Sequence, residues 1–228
     1  MASPSNVHHT AAILISLLII LPSSVSATLN HNLVSTIPHD GFAFTQGLEI
    51  QDGRMYESTG LYGHSQVREI SLEDGSLIRS HDLNDSFFGE GLTLIGDRVL
   101  VLTWKAGLIL EFERDTFNQS TQHNLEGEGW GICSFEDKIM VSDGTDQISI
   151  LDPLTLEPTG SIQVTSNDSE IWNLNELECV GDMIYANQWM SPFIHVISAN
   201  DGKLMSTLDL SNLPSGTSGD RNEVLNGI

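Results

Sequence analysis

"FTQGLEIQDGRMYEST", Phe44–Thr59, returns in altered form as "FGEGLTLIGDRVLVLTW", Phe88–Trp104. The two phrases share one grammar. A polar residue opens each, Gln46 in the first and Glu90 in the second. A short apolar run follows, then a turn ("QDGR", "IGDR"), then a β-rich run ("MYEST", "VLVLTW"). The grammar recurs from Gly127 in "GEGWGICSFEDKIMVSD" and from Leu174 in "LNELECVGDMIYANQW". In each unit a third, alternating run ("QISIL", "FIHVIS") and a second turn ("LEDGS", "ERDTF", "LDPLT", "ANDGK") lead to a more polar fourth run. Alternation of apolar and polar residues is the signature of a half-buried strand. Four short strands in a unit of roughly 40 residues is the pattern of a β-propeller blade.

The flanks of the repeats predict how the ring closes. "LVSTIPH", Leu33–His39, is similar to the fourth run "LMSTLDL" and lacks three runs of its own. "VLNGI", Val224–Ile228, reads as the first run of a further unit, with Asn226 in the polar slot. Propellers remove exposed sheet edges by joining an N-terminal strand to the last blade. The expectation is therefore an all-β, five-bladed propeller over residues 28–228. Leu33–His39 is expected as the outer strand of blade five, which would be incomplete in this chain and leave it poorly stable.

Equivalent slots of a propeller surround one mouth of the central channel. The expected ring is Gln46, Glu90, Glu128, Asn175 and Asn226, with Phe42, Phe44, Phe87, Phe88, Trp104, Trp130, Trp172 and Trp189 near the same ends. Converging buried polar groups must be hydrogen-bonded, hydrated or bound to a ligand. A polar ring with aromatic walls suits a small-ligand site; a water-filled channel with blade-packing aromatics is the plainer alternative.

The formal net charge is −22. That excludes a nucleic-acid partner, because phosphates would be repelled. Met1–Ala27 holds no Lys, Arg, Asp or Glu, and its apolar run "AAILISLLIIL" is followed by "PSSVSA". This is the pattern of a secretory signal cleaved after Ala27, with an uncleaved anchor, and hence membrane attachment, as the alternative. Three N-x-S triplets, at Asn84, Asn118 and Asn167, are candidate glycosylation sites and fit a lumenal or secreted protein. Cys133 and Cys179 can form one bridge or remain buried thiols. No metal-ligand spacing is present, so neither metal nor cofactor is expected.

"HDGFAFTQGLE", "YESTGLYGHSQVREISLEDG", "FGEGLT", "LTWKAG", "GEGWGIC", "LNELE", "YANQWMSPFIHVI" and "NEVLNGI" together resemble the plant and bacterial glutamine cyclotransferases (glutaminyl-peptide cyclotransferases). The resemblance runs from Leu33 to Ile228 with motifs in order and spacing. It implies a monomeric, metal-independent five-bladed propeller, unrelated in fold to the zinc-dependent animal enzymes. Such enzymes turn the N-terminal glutamine of peptides or proteins into pyroglutamate and release ammonia. By motif, the resemblance implies Phe44 and Gln46, Phe88 and Glu90, Trp104, Trp130, Asn175 and Trp189 as site residues. The family continues past "LNGI" with a stretch supplying an active-site lysine, which this sequence does not reach. The chemistry assigns Glu90 as the proton carrier and the other seven as substrate-binding. Glu128 and Glu176 are left between a site role and binding backbone groups of a neighbouring blade. Two competing readings are a calcium-dependent propeller hydrolase, with oxygen ligands on the axis, and a non-catalytic binding propeller.

Overall fold

The computed structural model describes residues 27–212 and 224–228. The expected signal, residues 1–27, lies outside them except for Ala27. Blade one is β2 (Thr45–Gln51), β3 (Arg54–Thr59), β4 (Gln66–Ile70) and β5 (Leu77–Asp82), preceded in the chain by β1 (Ala27–Leu29). Blade two is β6 (Gly89–Ile95), β7 (Arg98–Thr103), β8 (Leu108–Glu113) and β9 (Gln119–Asn124). Blade three is β10 (Ile132–Ser134), β11 (Ile139–Ser142), β12 (Gln147–Leu151) and β13 (Pro158–Gln163). A small hairpin, β14 (Thr165–Ser166) and β15 (Ser169–Glu170), precedes blade four: β16 (Leu174–Val180), β17 (Met183–Gln188), β18 (Phe193–Ser198) and β19 (Leu204–Asp209). Each blade is an antiparallel meander in chain order. The chain is thus an all-β propeller, with four complete blades among the described residues.

Burial explains the meander. The middle strands are buried on both faces, as in β7 and β4, because each blade is sandwiched between neighbours. The fourth strands β5, β9 and β13 are largely exposed and correspondingly polar. The core is three clusters, each between adjacent blades. Tyr56, Val67 and Leu83 meet Leu92, Phe112 and Phe117 between blades one and two. Leu100, Leu102 and Ile109 meet Ile132, Ile139 and Leu156 between two and three. Met140 and Ile148 meet Leu177, Ile184 and Ile197 between three and four. Among the described residues no such cluster joins blade four to blade one. There Val224–Ile228 lies between them, as expected of the first run of a further blade, although it forms no strand.

An N-terminal strand does pair with the last complete blade, but it is not the expected one. β1 runs parallel to β19, with Ala27 opposite Ser206 and Leu29 opposite Leu208. Leu33–His39 forms no strand. Its expected partner is the third strand of a fifth blade, and no such strand lies among the described residues. Side chains and a close backbone approach hold the segment instead. The ring of His39 bonds the buried Glu57 carboxylate at 2.7 Å. The Pro38 carbonyl passes so close to Gly75 that an added Cβ there would lie 1.7 Å from it.

The innermost strands approach one another at backbone contact. A Cβ at Gly47 would meet Leu92 N at 2.4 Å, one at Gly91 would meet Gly131 Cα at 2.8 Å, and one at Gly131 would meet Asn175 O at 2.1 Å. Hydrogen bonds close these seams. Ser58 Oγ donates to Glu90 O, Gly91 N to Trp130 O at 2.8 Å, and Ser142 Oγ to Asn175 O at 2.6 Å. Cys133 and Cys179 form a disulfide between β10 and β16, resolving the alternatives left open by the sequence. Asn84, Asn118 and Asn167 are all exposed, each in or beside a turn.

Candidate active site

Residues at or just before the start of each inner run point their side chains into one cavity of about 290 Å³. Phe44, Gln46, Phe88, Glu90, Trp104, Trp130, Asn175, Trp189, Val224 and Asn226 line it. All eight residues singled out in the sequence are brought together here. Val224 was not among them; a valine in a weakly patterned stretch carries no chemical signal.

One slot differs from the expected ring. Gly131, not Gly129, makes the contact with the next inner strand that Gly47 and Gly91 make. The residue before it, Trp130, therefore occupies the slot of Gln46 and Glu90. Glu128 lies two residues upstream, half-exposed outside the cavity lining. Its Oε2 accepts from the indole Nε1 of Trp104 at 2.8 Å and of Trp130 at 3.1 Å. Glu128 thus binds side chains, not the backbone of a neighbouring blade. Phe87 packs in the core between blades one and two. Phe42 is 98% exposed, and Trp172 turns outward to donate to Glu170. None of these three lines the cavity.

The polar arc is a chain of amides. Asn175 Nδ2 donates to Asn226 Oδ1 at 3.1 Å, and Asn226 Nδ2 donates to Gln46 Oε1 at 3.0 Å and Thr45 O at 3.1 Å. Asn226 is saturated by this. Gln46 Nε2 and Asn175 Oδ1 have no partner among the described residues. The site thus offers one amide donor and one amide acceptor on either side of Asn226. Asn187 Nδ2 anchors the same stretch by donating to Leu225 O.

The other arc is aromatic. Phe88 packs edge-on against Phe44, Tyr62 and Trp104, at centroid separations of 6.2, 5.5 and 5.6 Å. Trp130 meets Trp189 edge-on at 5.8 Å. Glu90 is set in this arc, 7% exposed. Burial pushes its carboxyl well above the usual carboxylate range, and the negative charge of Glu128 adds to the effect. A carboxyl with a raised pKa can take and return a proton near neutral pH.

One tier below Asn175, Glu176 stands where the other inner strands carry glycine. It is fully buried, set against the backbone N–H groups of Leu48, on blade one, and of Ile228, without a well-formed hydrogen bond to either among the described residues. Burial first, then Glu178 and Glu49, push its carboxyl well above the usual carboxylate range.

Comparison with known proteins converges on one family. A family model described as glutamine cyclotransferase matches residues 9–228. A glutaminyl-peptide cyclotransferase of Arabidopsis thaliana is 36% identical over 217 residues, covering 90% of this chain and 68% of its own length. The crystal structure of Myxococcus xanthus glutaminyl cyclase superposes with a TM-score of 0.78 at 33% identity, over 84% of this chain and 83% of that one. A protein of unknown function from Bacteroides caccae, 14% identical with a TM-score of 0.54, covers 72% of this chain and 66% of its own and shares the fold alone.

Proposed function

Because the chain belongs to the glutamine cyclotransferase family, we propose that it closes the N-terminal glutamine of peptides and proteins to pyroglutamate. The α-amine nitrogen attacks the side-chain amide carbon of the same residue. A five-membered lactam forms, the bond to the amide nitrogen breaks, and that nitrogen leaves as ammonia. The reaction is already intramolecular, so the site must hold the folded-back conformer, move one proton and stabilise the oxyanion.

The single observation that carries the reading is the opposition of two arcs across one small cavity. Glu90, raised by burial, faces the amine and takes its proton, then returns it to the departing nitrogen. Gln46 Nε2 is the donor available to the developing oxyanion. Asn175 Oδ1 is the acceptor available to an N–H of the substrate. Phe44, Phe88, Trp104, Trp130 and Trp189 exclude water and press the glutamine side chain into its ring-closing fold. The calcium-hydrolase alternative fares worse: Trp130 takes a slot an oxygen ligand would need, and the side-chain oxygens of Asn226 and Gln46 already accept from neighbouring amides.

The test is ammonia release from a Gln-initiated peptide, in EDTA, by the chain and by Glu90→Gln. The expected result is turnover in the first and a loss of at least about 10²-fold in the second, with an unchanged melting temperature. Ligand binding without turnover, indifferent to Glu90→Gln, would establish the binding-scaffold reading instead.

A further inference from the structure

Glu128 touches no part of the cavity, yet it is bonded to two of its walls. Its Oε2 takes the Nε1–H of Trp104, at the end of blade two's second strand, and of Trp130, at the start of blade three. Both bonds are charge-assisted and so stronger than neutral ones. Through the edge-on pairs of Trp104 with Phe88 and of Trp130 with Trp189, one carboxylate braces four of the five aromatic walls. Its other oxygen is 3.8 Å from Lys105 Nζ, which itself lies 3.9 Å over the Trp104 ring. Since each indole has a single donor, neither tryptophan has an N–H to offer a substrate. They present ring faces and edges only, which leaves polar recognition to the amide arc and Glu90.

We propose that Glu128 is a positioning residue of this site: it locks Trp104 and Trp130 from behind the wall and supplies the negative charge that Glu90 faces. The proposal rests on the cyclisation reading. Among the described residues Glu128 is the charged group acting on Glu90, and the direction is upward. Lys105, on the solvent side of Glu128, offsets part of that charge. Replacing Glu128 by glutamine removes the charge and leaves one acceptor. It therefore separates the electrostatic role from the mere presence of a side chain.

The experiment compares the unmodified chain, Glu128→Gln and Glu128→Asp. It reads kcat/KM against pH on a Gln-initiated peptide and the indole N–H resonances of isotope-labelled protein. In Glu128→Gln the acid limb of the profile should move to lower pH, by up to about one unit, because Glu90 ionises more easily beside a neutral neighbour. The plateau should fall by about tenfold to a hundredfold as the walls loosen. The Trp104 and Trp130 N–H signals should move upfield. Glu128→Asp keeps the charge and should keep the position of the acid limb. A Glu128→Gln profile with an unmoved limb overturns the charge role, and unmoved indole signals overturn the brace. If the unmodified chain does not cyclise the peptide, the cyclisation reading fails, and the indole signals still decide the brace.

Discussion

Gly131→Ala adds one methyl group at the seam between blades three and four. The new Cβ would lie 2.1 Å from Asn175 O, 2.7 Å from Glu176 Cα and 2.8 Å from Leu177 N. Every obstacle is backbone of β16, so no side chain can swing aside. Restoring ordinary contact requires the two inner strands to separate by about 1.3 Å. Overpacking of this kind costs about 1–3 kcal/mol where side chains can give way, and the upper end applies here. For a chain of this size about 3 kcal/mol lowers the melting temperature by about 6–12 °C. The functional loss should be larger than the stability loss suggests. Asn175 is carried on the strand that must move, and a misplacement of about 1 Å can cost about 10²-fold in rate. Differential scanning calorimetry and ammonia release measure the two effects. Gly160→Ala is the control, since nothing lies within 4 Å of an added Cβ there. A Gly131→Ala chain that melts within a degree of the parent and retains half its activity would refute the argument that backbone contact at this tier sets the cavity.

Other consequences can be measured independently. Arg68→Ala leaves the fully buried Glu57 without the guanidinium 3.4 Å from its Oε2; a loss of about 3 kcal/mol in denaturant unfolding is expected, and a loss below about 1 would show the pair to be dispensable. Removing the Cys133–Cys179 bridge, which spans a sequence separation of 46, should cost about 2–4 kcal/mol, read as the difference between oxidised and Cys133→Ala/Cys179→Ala chains. The melting temperature should be highest near pH 5. Burial raises the Glu49, Glu176 and Glu178 carboxyls, Glu178 to about 7, so from about 4.5 upward the folded chain keeps protons that the unfolded chain has released, and stability falls as pH rises. His39, raised by its bond to Glu57, acts in the same direction: its contribution is complete below about 6.5 and is lost as pH climbs through its folded value. Glu69, held down at about 2 by Arg54, opposes this at the acid end, where stability is lost as pH falls from about 4.5 toward 2. A melting temperature that climbs steadily from pH 5 to pH 8 would contradict the assignment.

The four blades and the cavity were legible in the sequence because each repeat states its own strands and turns locally. What was misread has physical causes. Glu128 and Trp130 are two residues apart, and strand side chains alternate with period two, so a shift of two keeps the pattern of faces intact. "GEGL" and "GEGW" cannot be phased by alternation; the contact of Gly131 with the next strand phases them. Leu33–His39 has the composition of an outer strand, but a strand exists only where a neighbouring strand pairs with it, and no third strand of a fifth blade lies among the described residues. The disulfide depended on β10 and β16 being neighbours round the ring. The bonds from Glu128 to two indoles join side chains of adjacent blades, which local patterning does not encode.

The slot tier also bears on how such a site can change. One position, repeated round the ring, holds Gln46, Glu90, Trp130, Asn175 and Asn226, side chains that differ in chemistry or in hydrogen-bond partners. The backbone at each position is fixed by the same seam, while the side chain is free of that constraint. Symmetry in the scaffold therefore produces a fully asymmetric cavity. A change of chemistry at a slot outside the amide chain, such as Glu90, leaves the hydrogen bonds that join Asn175, Asn226 and Gln46 standing. Duplication supplies equivalent stations, and point substitution gives each its own task. New substrate preferences can then arise one residue at a time, without rebuilding the fold that carries them.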